Sequence, residues 1–180
     1  MNICVYGAAS NKIDHIYIDK CYLLGAELAK RNITLVFGSG AGGVMGACAR
    51  GAFSENGTII GVVPRFFDVD GVRFDKCTET IFTKDMRERK QTMEDKSDAF
   101  IVAPGGIGTF DEFFEIFTLQ SLERHKKPIV IFNVNGYYDC MLENLSSAVK
   151  AGFISEAAMN RLLITDDIDE IFEMIDNFKY

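Results

Sequence analysis

Three groups of residues could carry chemistry by their types and spacing. The first is Pro104-Gly105-Gly106-Ile107-Gly108-Thr109-Phe110-Asp111-Glu112, which follows the apolar run Ala99–Ala103 and leads into a helical pattern. The proline ends a strand, and three glycines give access to positive φ and leave room for a ligand to approach the amides. A helix start adds free N–H groups with partial positive charge, a geometry that suits phosphate. The loop is not a Walker A motif, because no Gly-Lys-Ser/Thr follows. Thr109 and Glu112 also read as a T-x-x-E capping box, with Thr109 at the N-cap and Glu112 at N3. Spacing alone leaves Glu112 divided between capping and catalysis, although a cap needs no three neighbouring glycines.

The second group lies in Met86-Arg87-Glu88-Arg89-Lys90-Gln91-Thr92-Met93. Met86, Arg89, Lys90 and Met93 fall at i, i+3, i+4 and i+7, on one helical face. Periodicity alone favours Arg89 and Lys90 snorkelling past the methionines to solvent. The alternative turns Arg89 into a site, paired with a carboxylate or phosphate.

The third is Gly38-Ser39-Gly40-Ala41-Gly42-Gly43-Val44-Met45-Gly46, after the strand-like Thr34–Phe37. Gly38, Gly40 and Gly43 fit G-x-G-x-x-G. The dinucleotide fingerprint, however, follows the first strand and wants an acidic residue about 20 positions on; here Val62-Val63-Pro64 stand there. An NAD-dependent oxidoreductase is therefore disfavoured. Between a tight packing turn and an anion site at a helix N-terminus, the anion site is the favoured reading.

These groups sit in an alternation of strands and helices. Strands are expected at Ile3–Tyr6, Thr34–Phe37, Ile59–Val63, Glu79–Phe82, Ala99–Ala103, Ile129–Phe132 and Leu162–Ile164. Helices are expected at His15–Arg31, Val44–Glu55, Asp85–Lys96, Phe110–Glu123, Tyr137–Ala151 and Ile168–Phe178. Several strands are continuous apolar runs, as in a parallel sheet buried on both faces. The pattern predicts one α/β domain over residues 1–180, a doubly wound, mostly parallel sheet with helices on both faces. Pro64–Asp75, the least regular stretch, is expected to be a surface loop near the strand ends, where such folds bind ligands.

The helix from Phe110 is apolar almost all round (Phe110, Phe113, Phe114, Ile116, Phe117, Leu119, Leu122), which points to a homodimer interface. Its polar stripe, Asp111, Glu115 and Thr118, suits a pocket wall. The 180 residues are 48% apolar and 25% charged, with a net charge of −7. That balance argues against non-specific nucleic-acid binding. No stretch is long and apolar enough to span a membrane, and the N-terminus lacks a signal-peptide pattern, so a cytoplasmic protein is expected. Cys4, Cys21, Cys48, Cys77 and Cys140 are odd in number and widely spaced, which disfavours disulfides and structural zinc.

The Pro104–Glu112 segment resembles the P-G-G-x-G-T-x-x-E signature of the LOG family, cytokinin-activating phosphoribohydrolases often mislabelled as lysine decarboxylases. Met86–Lys90 is similar to the family's M-x-E-R-K element, and Gly38–Gly46 to its first glycine turn, G-G-G-x-x-G-L-M-G. The resemblance implies a Rossmann-like fold, dimers or higher homo-oligomers, and hydrolysis of AMP or N6-substituted AMP to free base and ribose 5-phosphate, with no cofactor and no metal. It puts the catalytic residues at Arg89 and Glu112 and the phosphate loop at Gly105, Gly106, Gly108 and Thr109. Further substrate contacts fall on Gly40, Gly43, Met86, Lys90 and Thr118. Ser39, Arg87, the opening Tyr6-Gly7-Ala8-Ala9-Ser10 and Phe66 after Pro64-Arg65 depart from the family pattern; the last two lie where base or ribose would be held. Glu112 would stabilise an oxocarbenium-like sugar and deprotonate water, kept ionised by the helix dipole. Decarboxylation of lysine would need a Schiff-base lysine, for which the motifs give no context. A non-catalytic nucleotide or cofactor carrier is the rival class; it would keep the glycine loops without needing Arg89 and Glu112 together.

Overall fold

A computed structural model of the chain describes residues 1–68 and 71–180. Seven strands alternate with helices: β1 (Asn2–Tyr6), α1 (His15–Lys30), β2 (Thr34–Phe37), α2 (Gly43–Ser54), β3 (Ile59–Pro64), β4 (Glu79–Thr83), α3 (Met86–Asp95), β5 (Ala99–Val102), α4 (Ile107–Ser121), β6 (Ile129–Phe132), α5 (Asp139–Lys150), α6 (Glu156–Met159), β7 (Leu162–Thr165) and α7 (Ile168–Asp176). They form one sheet in the order β4-β3-β2-β1-β5-β6-β7. Every strand pair is parallel. The chain is an α/β protein with a Rossmann-like architecture. The one-turn α6 is an element the sequence pattern does not reveal.

Strand alternation explains the two cores. On one face Ile3, Val5, Ala99 and Ile101 pack with Leu24, Cys48 and Ile171 from α1, α2 and α7. On the other, Cys4, Tyr6, Phe100 and Val102 pack with Met93, Phe113 and Leu145 from α3, α4 and α5. Arg89 and Glu112 belong to the helices of this second face. Cys4, Cys21 and Cys48 are buried, as apolar context suggests, and burial pushes the Cys48 thiol up to about 12. Among the described residues, no helix is long and apolar enough to cross a membrane.

Register brings the loops together. Val5 pairs with Phe37, and Tyr6 with Val102, so the segments starting at Gly7, Gly38 and Ala103 leave the sheet at one edge. The strand order reverses between β1 and β5, the switch point where open α/β sheets hold ligands. Here the Ala8 amide donates to the Pro104 carbonyl at 3.1 Å, which ties the loop after β1 to the loop after β5.

Candidate active site

Asp85 caps α3 by accepting from the amides of Arg87 and Glu88 at 3.0 and 2.9 Å. The cap fixes the helix start, and the phase that follows turns Arg89 and Met93 inward. Arg89 is 6% exposed. Its Nε donates to the Val62 carbonyl at 3.2 Å and its Nη1 to Glu112 Oε1 at 2.7 Å. The snorkelling reading favoured by periodicity is thus overturned for Arg89, because a buried carboxylate and a strand carbonyl offer its guanidinium partners inside. Gly38 makes room for it: a Cβ there would lie 1.7 Å from Arg89 Nη2. Lys90 turns aside to Asp111 and Glu115, reaching Asp111 Oδ2 at 3.0 Å. Its partial burial opposes the charged form, but the two carboxylates outweigh it and hold its pKa above the ordinary lysine value. Met86, half-buried, begins the helix.

The capping-box reading of Glu112 is corrected. α4 begins at Ile107 with Gly106 as N-cap and no side-chain cap. Thr109 is therefore in the first turn, and Glu112 in the second, out of reach of the N-cap amide. That position also weakens the dipole argument, since the effect fades beyond the first turn. Burial pushes the Glu112 carboxyl up, and Arg89 opposes that rise. A raised carboxyl suits a base working near neutral pH.

Gly105, Gly106 and Gly108 do not adopt positive φ, contrary to expectation; space is what they supply. A Cβ at Gly105 would lie 2.0 Å from Thr109 Oγ1, because buried Thr109 folds beneath it, while Gly106 and Gly108 face open space. Among the described residues no acceptor takes the amides of Gly105, Gly106, Ile107, Gly108 or Thr109; Phe110 is the first, donating to Gly106. The carbonyls of Ala103 and Gly105 instead receive hydrogen bonds from Tyr138 and Tyr137.

The first glycine turn differs. The Gly43 amide donates to Asn11 Oδ1 at 2.8 Å, Met45 to the Ala8 carbonyl at 3.1 Å and Gly46 to Gly42 at 2.8 Å. Those three amides are taken by the protein, whereas among the described residues no acceptor takes the amides of Gly42 and Val44, so the anion reading keeps fewer donors here than in the second loop. Gly43 has φ +57° and Ser39, at the family's glycine position, φ 64°. Gly40 forms an antiparallel bridge with Arg73, and the Phe74 amide donates to Ser39 at 2.8 Å. The irregular Pro64–Asp75 stretch thus does reach the strand ends, as expected, although Val69 and Asp70 within it lie outside the described residues. It walls a cleft of about 370 Å³ with Phe67, Val72 and Arg73; Gly40, Met45, Val63 and Arg89 are among the other residues that line it. That volume is in the range of small-molecule sites.

Thr118 is not brought to this place. It lines a separate groove of about 360 Å³ with Phe114, Phe117 and Phe153, between α4 and α6. Asp111 and Glu115, expected beside it in a pocket wall, are instead engaged with Lys90. The sequence reading missed Tyr137 and Tyr138, whose only signal is a turn-like Asn-Gly before two aromatics.

Comparison with known proteins identifies the family. A family described as "Possible lysine decarboxylase" matches residues 45–175. The chain is 36% identical over 178 residues to the cytokinin riboside 5'-monophosphate phosphoribohydrolase LOG1 of Arabidopsis thaliana, covering 98% of this chain and 83% of that protein. It is 39% identical over 168 residues to the protein of the same function name from Mycobacterium tuberculosis (strain ATCC 25618 / H37Rv), covering 93% of this chain and 89% of the other. A solved structure titled as the molybdenum cofactor binding protein of Rippkaea orientalis shares the fold, with a TM-score of 0.72 at 21% identity over 97% of this chain and 93% of that one. At the identities of the first two relatives, across nearly the full length of this chain and more than four fifths of each relative, the chain belongs to the LOG family.

Proposed function

We propose that the chain is a cytoplasmic hydrolase cleaving the N-glycosidic bond of AMP or N6-substituted AMP, releasing the base and ribose 5-phosphate. The observation that carries this reading is the buried Arg89–Glu112 pair, 2.7 Å apart, beside a helix start whose amides have no acceptor among the described residues. The phosphate accepts from the amides of Gly106, Ile107, Gly108 and Thr109. The base enters the cleft that reaches Arg89, and the ribose lies between, over Glu112. As the C1′–N bond breaks, the base leaves with the bonding pair and the sugar becomes cationic; Glu112 stabilises that cation. Glu112 then takes a proton from the water whose oxygen bonds to C1′, and that proton passes on, directly or through solvent, to the departing base nitrogen, which restores the carboxylate. Binding energy from the remote phosphate holds the sugar in the reactive pose.

The phosphoribohydrolase names of the relatives support this reading. The family's decarboxylase description fits the site less well, because the inward cation is an arginine, which forms no Schiff base, and Lys90 Nζ is held by two carboxylates. A carrier on the same fold is the second reading, prompted by the solved cofactor-binding neighbour. Incubation with AMP, followed by chromatography for adenine and an assay for ribose 5-phosphate, separates them: both products in equal amounts support the hydrolase, and tight AMP binding without product supports the carrier.

Gly38→Ala tests how Arg89 is placed. The added methyl meets the tip of a flexible side chain, so the fold is expected to survive while the guanidinium is displaced. The expected loss in kcat is about 10²-fold, the scale of one misplaced donor, with a cooperative melting transition that shifts down, because Glu112 loses its buried partner. Wild-type kcat would show that the position of Arg89 does not matter.

A homo-oligomer is also part of the proposal. Phe114 on α4 and Leu122 at its C-cap are 42% and 62% exposed, and neighbouring Phe153 is 86% exposed, a surface that favours association. Phe113, Ile116 and Phe117 fill the core side of the same helix.

A further inference from the structure

Three consecutive carbonyls at the start of the phosphate loop are held from outside it. Tyr138 Oη donates to Ala103 at 2.8 Å, the Ala8 amide to Pro104 at 3.1 Å, and Tyr137 Oη to Gly105 at 2.7 Å. The amides that follow have no acceptor among the described residues. A peptide plane whose oxygen is fixed has its N–H fixed as well, because the unit is rigid. Pinning the Gly105 oxygen therefore aims the Gly106 amide, the first donor of the series. The tyrosines are themselves braced: the Tyr137 ring packs edge-on against Tyr17 of α1 at 5.5 Å and against Tyr138 at 4.9 Å. Asn133 Oδ1 accepts from the Tyr138 amide at 2.7 Å, and Asn133 Nδ2 donates to Asp139 at 2.7 Å.

We infer that Tyr137 is a positioning residue for phosphate: its hydroxyl orients the Gly105–Gly106 peptide and so sets affinity for the phosphorylated end of the substrate, without touching the reacting bond. This rests on the phosphate reading of the loop. Tyr137 is 40% exposed, so Tyr137→Phe removes the hydroxyl and keeps the ring packing. The variant is expected to raise KM for AMP about tenfold, the scale of one lost hydrogen bond to a loop that must stay ordered, with kcat within about twofold and the melting temperature unchanged. The dissociation constant of ribose 5-phosphate, measured by calorimetry, should weaken by the same factor. Equal ribose 5-phosphate affinity in wild type and variant would overturn the inference while leaving the phosphate reading intact. A fall in kcat together with the melting temperature would also overturn it, as the mark of a merely structural tyrosine. Wild-type protein that binds neither AMP nor ribose 5-phosphate would refute the phosphate reading, and the inference with it.

Discussion

Glu112→Gln is expected to lower kcat for AMP hydrolysis by about 10³-fold, in the range ascribed to a positioned general base, with AMP binding retained. The amide keeps the shape of the carboxylate and an oxygen to accept from Arg89 Nη1, so the buried contact at 2.7 Å has a neutral replacement. Two functions disappear together: the negative charge facing the sugar cation and the base that deprotonates water. The amides proposed to hold phosphate lie at the start of the same helix, and an isosteric side-chain change one turn on leaves that backbone in place. Equilibrium binding of AMP, read by calorimetry, should therefore stay within a few-fold of wild type while product formation slows by that factor. Near-normal turnover would remove Glu112 from the mechanism, and lost binding would make it a structural carboxylate.

Arg89→Met carries the second large effect, and its pH dependence is diagnostic. Burial already pushes the Glu112 carboxyl up, and Arg89 is what opposes the rise. Without the guanidinium, the carboxyl moves further up. Activity that needs ionised Glu112 should then lose its acid limb at higher pH than wild type, and the remaining kcat/KM should be lower by about 10²-fold. Stability follows the same linkage. A carboxyl whose folded pKa lies above its unfolded value binds more protons folded than unfolded, so the folded state is favoured at low pH and stability falls as pH rises through that window. The variant should thus melt progressively lower as pH is raised. Breaking a buried ion pair on one side costs about 3–5 kcal/mol when the survivor stays charged. An acid limb and a melting curve that both match wild type would show that Arg89 does not govern Glu112.

The sheet was legible because its strands are apolar runs with sharp ends. Thr34–Phe37 and Ile129–Phe132 are read to the residue. Arg89 was ambiguous for a physical reason: helical phase says which side faces inward, but not whether a partner waits there. That partner, Glu112, comes from another helix, and the Val62 carbonyl from a strand. The capping box failed because a T-x-x-E spacing does not fix where a glycine loop starts to coil; Gly106, not Thr109, makes that transition. At the first glycine turn, sequence shows amides without showing acceptors; Asn11 and Ala8, from the loop after β1, take those of Gly43 and Met45. Thr118 came from family resemblance, and within one chain it faces a different groove. The tyrosines were invisible because two hydroxyls acting on carbonyls more than 30 residues away leave no local pattern.

The parallel pairing of β1 with β5 has a kinetic consequence. Ile3 pairs with Ala99 and Tyr6 with Val102, so the central ladder joins chain segments separated by nearly the whole β1–α3 portion. Closing so long a loop costs entropy before its contacts return any gain. The crevice that gathers the loops after β1, β2 and β5 does not exist until that closure is complete. Nascent chains that have not yet delivered β5 can build β1 to β4, but the carboxylate and its arginine partner meet only after the long-range step. Activity regained during refolding is therefore expected to follow the slowest assembly phase rather than the early growth of helix.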